Sequence, residues 1–226
     1  MLIKHLHNWN LSYKDARAVQ TGSAGKVDLC PLPANADINI VAGLDCAFTK
    51  DKKRILAVVV VLDIDTLQVV ETQHAVADVT FPYIPGLLSF REAPVCLQAI
   101  EKLESVPDVF LIDGQGIAHQ RRLGLASHLG LFIDKPTIGC AKSRLIGSYK
   151  QPYLEKGSYT DLLDKDDLIG AVVRTRTNVK PLFISPGHKC SFDDVISITL
   201  RCTTRYRLPE PTRLAHQLVS KLKLSL

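Results

Sequence analysis

The sequence has no Cys-x-x-Cys pair, no long apolar run, no low-complexity tract and no Walker A glycine loop. Each absence removes a class of protein. The six cysteines, at 30, 46, 96, 140, 190 and 202, have no zinc-like spacing. Several fall in apolar runs, where a thiol acts as a small hydrophobe. They are expected to be reduced structural residues of a cytoplasmic protein. The longest apolar stretch, Ile55 to Leu62, is too short to cross a bilayer. The opening Met1-Leu-Ile-Lys-His-Leu-His-Asn-Trp9 has no uninterrupted apolar core of a secretory signal. Charge of one sign is barely in excess, 28 basic against 23 acidic residues for a net +5. That helps a phosphate-bearing partner approach without identifying one.

With no composition break, the 226 residues are expected to form a single domain, 1–226. A helix is expected over 11–24, ended by Gly22 and Gly25, and a connecting loop over 26–37. Three strands follow, Ile38–Phe48, Arg54–Ile64 and Leu67–Val76, on links short enough for an antiparallel meander. The second is nearly all Val, Leu and Ile, the pattern of a strand buried on both faces. A helix from near Pro94 to Leu103, a strand Asp108–Asp113, a helix Ala118–Phe132 carrying Arg121 and Arg122, and a strand Pro136–Lys142 come next. Their alternation implies parallel pairing. Residues 143–167 read as polar and irregular, followed by strands Leu168–Thr175 and Pro181–Ser185 and by helices near 192–202 and 211–224.

The stretch Thr80-Phe-Pro-Tyr-Ile-Pro-Gly-Leu-Leu-Ser-Phe-Arg-Glu-Ala-Pro94 organises the rest. Pro82 and Pro85 fix φ and restrict the residues before them, so Tyr83 sits on a stiffened arch suited to insertion into a stack of bases. A surface turn whose tyrosine covers nearby core is the plainer alternative. Glu92 has two readings. Ser89-Phe-Arg-Glu92 fits a capping box, but Pro94 is happier at the first helical position, which would leave Glu92 free to face a site. Asp45 lies inside an apolar strand and Asp113 ends another, and such acids are costly without a charge partner or a metal. Three such carboxylates suit Mg²⁺ or Mn²⁺. Lys142 ends a strand, where a solvated lysine is the default. His216 lies two residues off the Leu214, Leu218, Leu222 stripe, and by itself reads as a partly buried helical histidine. His188 reads as part of a turn and His119 as part of a helix start.

These motifs together resemble the endonuclease V family. The resemblance is carried by Val41-Ala-Gly-Leu-Asp45, Phe81 to Glu92, Ile112-Asp-Gly-Gln-Gly-Ile-Ala-His119 and Gly139-Cys-Ala-Lys-Ser-Arg-Leu-Ile-Gly147, with Ser185-Pro-Gly-His188 and Pro211-Thr-Arg-Leu-Ala-His216. Gln115 stands where the family more often has histidine. The resemblance implies a ribonuclease H-like α/β fold: a mixed sheet with an antiparallel meander followed by parallel strands, flanked by helices. It implies that Asp45 and Asp113 bind Mg²⁺, replaceable by Mn²⁺, with Glu92 completing the acidic site. Lys142 would lie near the scissile phosphate and His216 at the catalytic edge. Tyr83, with Pro82, Ile84, Pro85 and Gly86, would be the wedge filling the gap left by a damaged base. Leu88, Gly114 and Gly116 would form the pocket receiving that base, and His119, Arg122 and Ser143 would complete the DNA contacts.

The implied activity is hydrolysis of the second phosphodiester bond 3′ to a deaminated base, deoxyinosine, by an enzyme expected to work as a monomer. An inosine-specific ribonuclease of the same family and a non-catalytic nucleic-acid-binding module on the same fold are the alternatives. A metal-dependent phosphohydrolase or an actin-like sugar kinase is a third, disfavoured because a Walker A loop is absent and an actin-like fold needs a duplicated meander that this length cannot hold.

Overall fold

The structure is a computed structural model, and it describes residues 1–33 and 36–224. The loop expected over 26–37 carries no regular structure in its described part, and Ala34 and Asn35 lie outside the described residues. In chain order the elements are α1 (Tyr13–Ala24), β1 (Ile40–Phe48), β2 (Arg54–Asp63), β3 (Val69–Asp78), α2 (Leu88–Glu101) and β4 (Val109–Ile112). They continue with α3 (Leu125–Ile133), β5 (Thr137–Ala141), β6 (Tyr159–Asp164), β7 (Asp167–Val173), β8 (Leu182–His188), α4 (Phe192–Arg201) and α5 (Glu210–Lys223).

The strands form one sheet in the order β3-β2-β1-β4-β5-β8-β7-β6. The meander β1–β2–β3 is antiparallel, and β1, β4 and β5 run parallel. This is the ribonuclease H-like arrangement expected from the motifs. Beyond β5 the sheet turns antiparallel again through β8, β7 and β6.

β2 is buried on both sides, and its alternation separates two cores. Ile55, Ala57, Val59 and Val61 pack with residues of α2 and α3, including Cys96, Ile100, Leu129 and Phe132. Leu56, Val58, Val60 and Leu62 pack with residues of α4 and α5, including Val195, Ile198, Ala215 and Val219. Among the described residues, no helix is long and apolar enough to cross a membrane. All six cysteines are free thiols, and the Cys46 and Cys96 sulfurs lie 3.9 Å apart.

Several expectations are corrected. α2 starts at Leu88, a full turn before Pro94, which sits inside the helix without an N–H to give. The burial of Phe90, Ala93, Val95, Cys96 and Leu97 holds the helix through that defect. No capping box forms there. Leu87 is the cap residue, and the Ser89 hydroxyl pairs instead with His128 Nδ1 at 2.9 Å.

Residues 118–124 are not helical, so His119, Arg121 and Arg122 lie on an irregular turn before α3. That turn is tied to β8 through the Ile117 N–H on the Pro186 carbonyl, 2.8 Å, and closes through the Gly124 N–H on Gly116, 2.9 Å. Ser185-Pro-Gly-His188, read as ending in a turn, is the second half of β8. β6 went unread because it is an edge strand, paired with β7 on one side and mostly unburied.

Candidate active site

In-register parallel pairing builds the site. Leu44 of β1 lies beside Ile112 of β4, and the Asp113 N–H donates to the Leu44 carbonyl at 3.0 Å. Asp45 and Asp113 therefore leave adjacent strands at the same level, towards the carboxyl ends of the parallel strands. Side-chain alternation puts both on the α5 face, since Ala42, Leu44, Phe110 and Ile112 fill the α2 and α3 core. Helix α5 can come close because position 43 is glycine. A Cβ there would lie 2.0 Å from the Pro211 carbonyl carbon. The approach delivers His216, whose Nδ1 is 2.6 Å from Asp45 Oδ2. Lys142, just past β5, reaches Asp113 Oδ2 at 2.5 Å.

Asp45, Asp113 and His216 each offer a ligand atom within 4.8 Å of the other two. Asp45 is only 8% exposed. Burial, then the negative charge of Asp113, raises its pKa, while His216, Lys142 and the Cys46 amide pull the other way. Two carboxylate oxygens and an imidazole at these distances could hold a divalent cation, whose charge would stabilise the ionised Asp45.

Glu92 is not one of these three. It stands on α2, against the opposite face of the sheet, where Cys46 also points. Its carboxyl is nevertheless pushed up to about 7, first by burial and then by Asp45 and Asp113.

A cavity of about 130 Å³ is lined by Tyr83, Ile84, Gly86 and Leu88 of the arch and by Gly114, Gln115 and His119 of the turn after β4. Gln20, Ser89, Leu123, Gly124, Leu125 and Leu145 complete its walls. Tyr83 is 67% exposed at its rim, and Pro82 and Pro85 are exposed beside it. Phe81 is the arch residue that anchors inward, packed with Ala16, Leu87 and Phe90. Burial pushes the His119 imidazole down to about 4, with Arg121 adding to the shift. The ring is therefore neutral near pH 7, and its Nδ1 accepts from the Arg121 N–H at 3.1 Å.

Other expected contacts fall elsewhere. Gly116 is not among the lining residues: a Cβ on it would lie 2.0 Å from the Pro186 carbonyl oxygen, and its N–H is taken by Ser185 Oγ at 2.9 Å. That N–H is therefore engaged within the protein, and Gly116 supports the turn rather than lining the pocket. Arg122 is held in ion pairs with Asp164 at 2.9 Å and Asp167 at 3.0 Å. Ser143 is exposed, and its carbonyl accepts from Gln115 Nε2 at 3.1 Å.

Sequence reasoning missed Gln20. This α1 side chain donates to the carbonyls of Gly86 at 3.0 Å and Leu123 at 2.8 Å, joining both cavity walls. A buried glutamine at only 1% exposure was the available signal, and burial is not visible in the sequence.

The endonuclease V family profile matches residues 23–217. An endonuclease V of Petrotoga mobilis is 47% identical over 223 residues, covering 99% of each chain. The crystal structure of the Bacillus subtilis endonuclease V has a TM-score of 0.95 at 35% identity, covering 100% of this chain and 98% of that one. A Ciona intestinalis endonuclease V, crystallised with DNA containing an inosine followed by a ribo-adenosine, has a TM-score of 0.83 at 28% identity, covering 94% of this chain and 98% of that one. With the family motifs falling on the acidic cluster and on the cavity walls, and with matches that run nearly end to end, the chain belongs to the endonuclease V family.

Proposed function

We propose that this chain, acting as one domain, is a Mg²⁺-dependent repair endonuclease that hydrolyses the second phosphodiester bond 3′ to deoxyinosine in DNA, leaving a 3′-hydroxyl and a 5′-phosphate. The observation that carries this reading is the pairing of the Asp45–Asp113–His216 cluster with a cavity capped by an exposed tyrosine. The inosine-containing DNA crystallised with the Ciona relative supports it.

Asp45 and Asp113 would hold the cation, with Glu92 charge-coupled to both from the other side of the sheet. A divalent cation at such a site supplies positive charge to the phosphoryl oxygens and acidifies an attacking water. Lys142, a compact charge already 2.5 Å from Asp113, neutralises a non-bridging phosphate oxygen. With Nδ1 2.6 Å from the Asp45 carboxylate, which can only accept when ionised, Nε2 is the nitrogen left to orient a water or take its proton.

On the recognition side, a flipped base enters the cavity and Tyr83 stacks in the vacancy it leaves. Flipping costs a few kcal/mol, and stacking on one aromatic returns about 1–3 kcal/mol. Pro82, Ile84, Pro85 and Ser143 would lie along the strand, with Arg122 joining them only if its ion pairs with Asp164 and Asp167 open.

Product mapping tests the proposal on a duplex with one deoxyinosine and on the matching RNA carrying one inosine. The expected result is a single Mg²⁺-dependent nick at the second bond 3′ of the lesion in DNA. Asp45→Asn should lower that rate at least about a hundredfold while leaving DNA binding intact. Undiminished nicking by the variant would sink the cation assignment, and cleavage confined to RNA would favour the ribonuclease.

A further inference from the structure

Gln115 is one of the residues that line the cavity, and one end of its side-chain amide is unpaired. Its Nε2 donates to the Ser143 carbonyl at 3.1 Å, which fixes which end of the amide is which. Its Oε1 is buried and has no hydrogen-bond partner. A buried amide oxygen left unpaired is costly, so a donor brought in by a ligand would be bound favourably there. The buried polar side chains of the wall, Gln20, Ser89 and His119, are already engaged. Gln20 Oε1 accepts from Arg121, Ser89 Oγ pairs with His128, and His119 Nδ1 accepts from a backbone N–H.

We propose that Gln115 is a specificity-determining residue, its Oε1 accepting the N1–H of hypoxanthine flipped into the cavity. The inference rests on the deoxyinosine reading above and adds to it the group that tests the base. Deamination of adenine turns the N1 lone pair into an N–H and the C6 amino group into a carbonyl. Hypoxanthine thus brings a donor to Oε1, whereas adenine brings a lone pair against a lone pair and leaves the glutamine oxygen unpaired. Discrimination of this kind is strong because the penalty falls on a buried group that the wrong base cannot satisfy. The short turn Gly114-Gln115-Gly116 holds the residue, and the Gln115 carbonyl is itself tied to the Ala126 N–H at 2.9 Å. The acceptor is therefore set before the base arrives.

Binding without divalent metal tests this, so the readout does not depend on cleavage. Dissociation constants are measured for oligonucleotides carrying deoxyinosine, deoxynebularine (a purine with neither the N1–H nor the C6 oxygen) or an abasic analogue at one position. For the unaltered protein, deoxyinosine should bind more tightly than deoxynebularine. In Gln115→Leu that preference should shrink about tenfold, while abasic DNA binds as before. Gln115→Met, with a shape closer to glutamine, should behave like Gln115→Leu and guards against a packing defect of the first variant. An unchanged preference in both variants overturns the proposal. So does an equal loss on abasic DNA, because it would make Gln115 only a tether for the Ser143 loop. If the unaltered protein shows no preference for deoxyinosine, it is the underlying reading of the substrate that fails.

Discussion

Glu92 shows how one side chain ties the sheet to the chemistry. Its carboxyl is raised from 4.5 to about 7 by burial first, then by the charges of Asp45 and Asp113, against a compensating contact with Cys46. The folded chain therefore keeps a proton that the unfolded chain releases. The neutral carboxyl costs nothing below pH 4.5, and stability is lost as pH rises from there through about 7. Glu92→Gln should consequently stabilise the metal-free protein above pH 7 and leave it unchanged below pH 4.5. Part of the side chain reaches solvent, so the gain is roughly 1–2 kcal/mol. Urea unfolding at the two pH values in the presence of a chelator measures it. A gain of equal size at both would show that packing, not charge, is responsible. Saturating Mg²⁺ should shrink the gain, because a nearby cation favours the ionised carboxylate.

At the scale of elements, the arch is held at one end by the buried Phe81 ring and at the other by the Gly86 carbonyl. Gly86 sits at φ +80°, and its carbonyl accepts from Gln20 Nε2 at 3.0 Å and from Arg121 Nη2 at 2.6 Å. Gln20 also reaches Leu123, so α1 clasps the arch and the turn before α3 at a fixed separation. Gln20→Ala should loosen that clasp, weakening deoxyinosine binding about three- to tenfold and blurring its preference over adenine, with the cleavage rate at saturation nearly unchanged. Tyr83→Ala should also weaken binding, but by removing the stacking surface, and should leave thermal stability as it was because the ring is exposed. Paired measurements of binding and melting temperature separate the two. A Gln20→Ala protein with normal affinity would show that the arch is rigid without the clasp.

For the molecule as a whole, buried histidines set the response to acid. His119 is lowered to about 4 and His128 to about 3, each first by burial. His128 lies between Ser89 at 2.9 Å and His7 at 2.8 Å, inside the aromatic group of Trp9, Phe90 and Phe132. Both stay neutral in the fold but take protons at about 6.5 when unfolded, so their contribution is complete above that pH and drains away as pH falls through about 4 and 3. Imidazole NMR at pH 5 should find His119 and His128 neutral in the folded protein. Protonation of either at that pH would contradict its burial.

Much of this was legible in the chain because periodicity reports burial locally. The unbroken Val and Leu run gave β2, the stripe of Leu214, Leu218 and Leu222 gave α5, and two prolines around an aromatic gave an outward Tyr83. Asp45 and Asp113 declared themselves as acids at strand positions where they are costly. What stayed hidden depended on neighbours. β6 is an edge strand with little to bury, Pro94 is tolerated because its helix packs on the sheet, and the segment 118–124 is held open by β8.

The sequence alone determined which residues are candidates and which elements bear them, since strand and helix periods are properties of consecutive residues. Only the tertiary structure decided the partners. Parallel register put Asp45 level with Asp113, the bare Cα of Gly43 let α5 bring in His216, and the packing of α2 on the opposite face of the sheet placed Glu92 there. Such contacts join positions far apart in the chain, where no local pattern can record them.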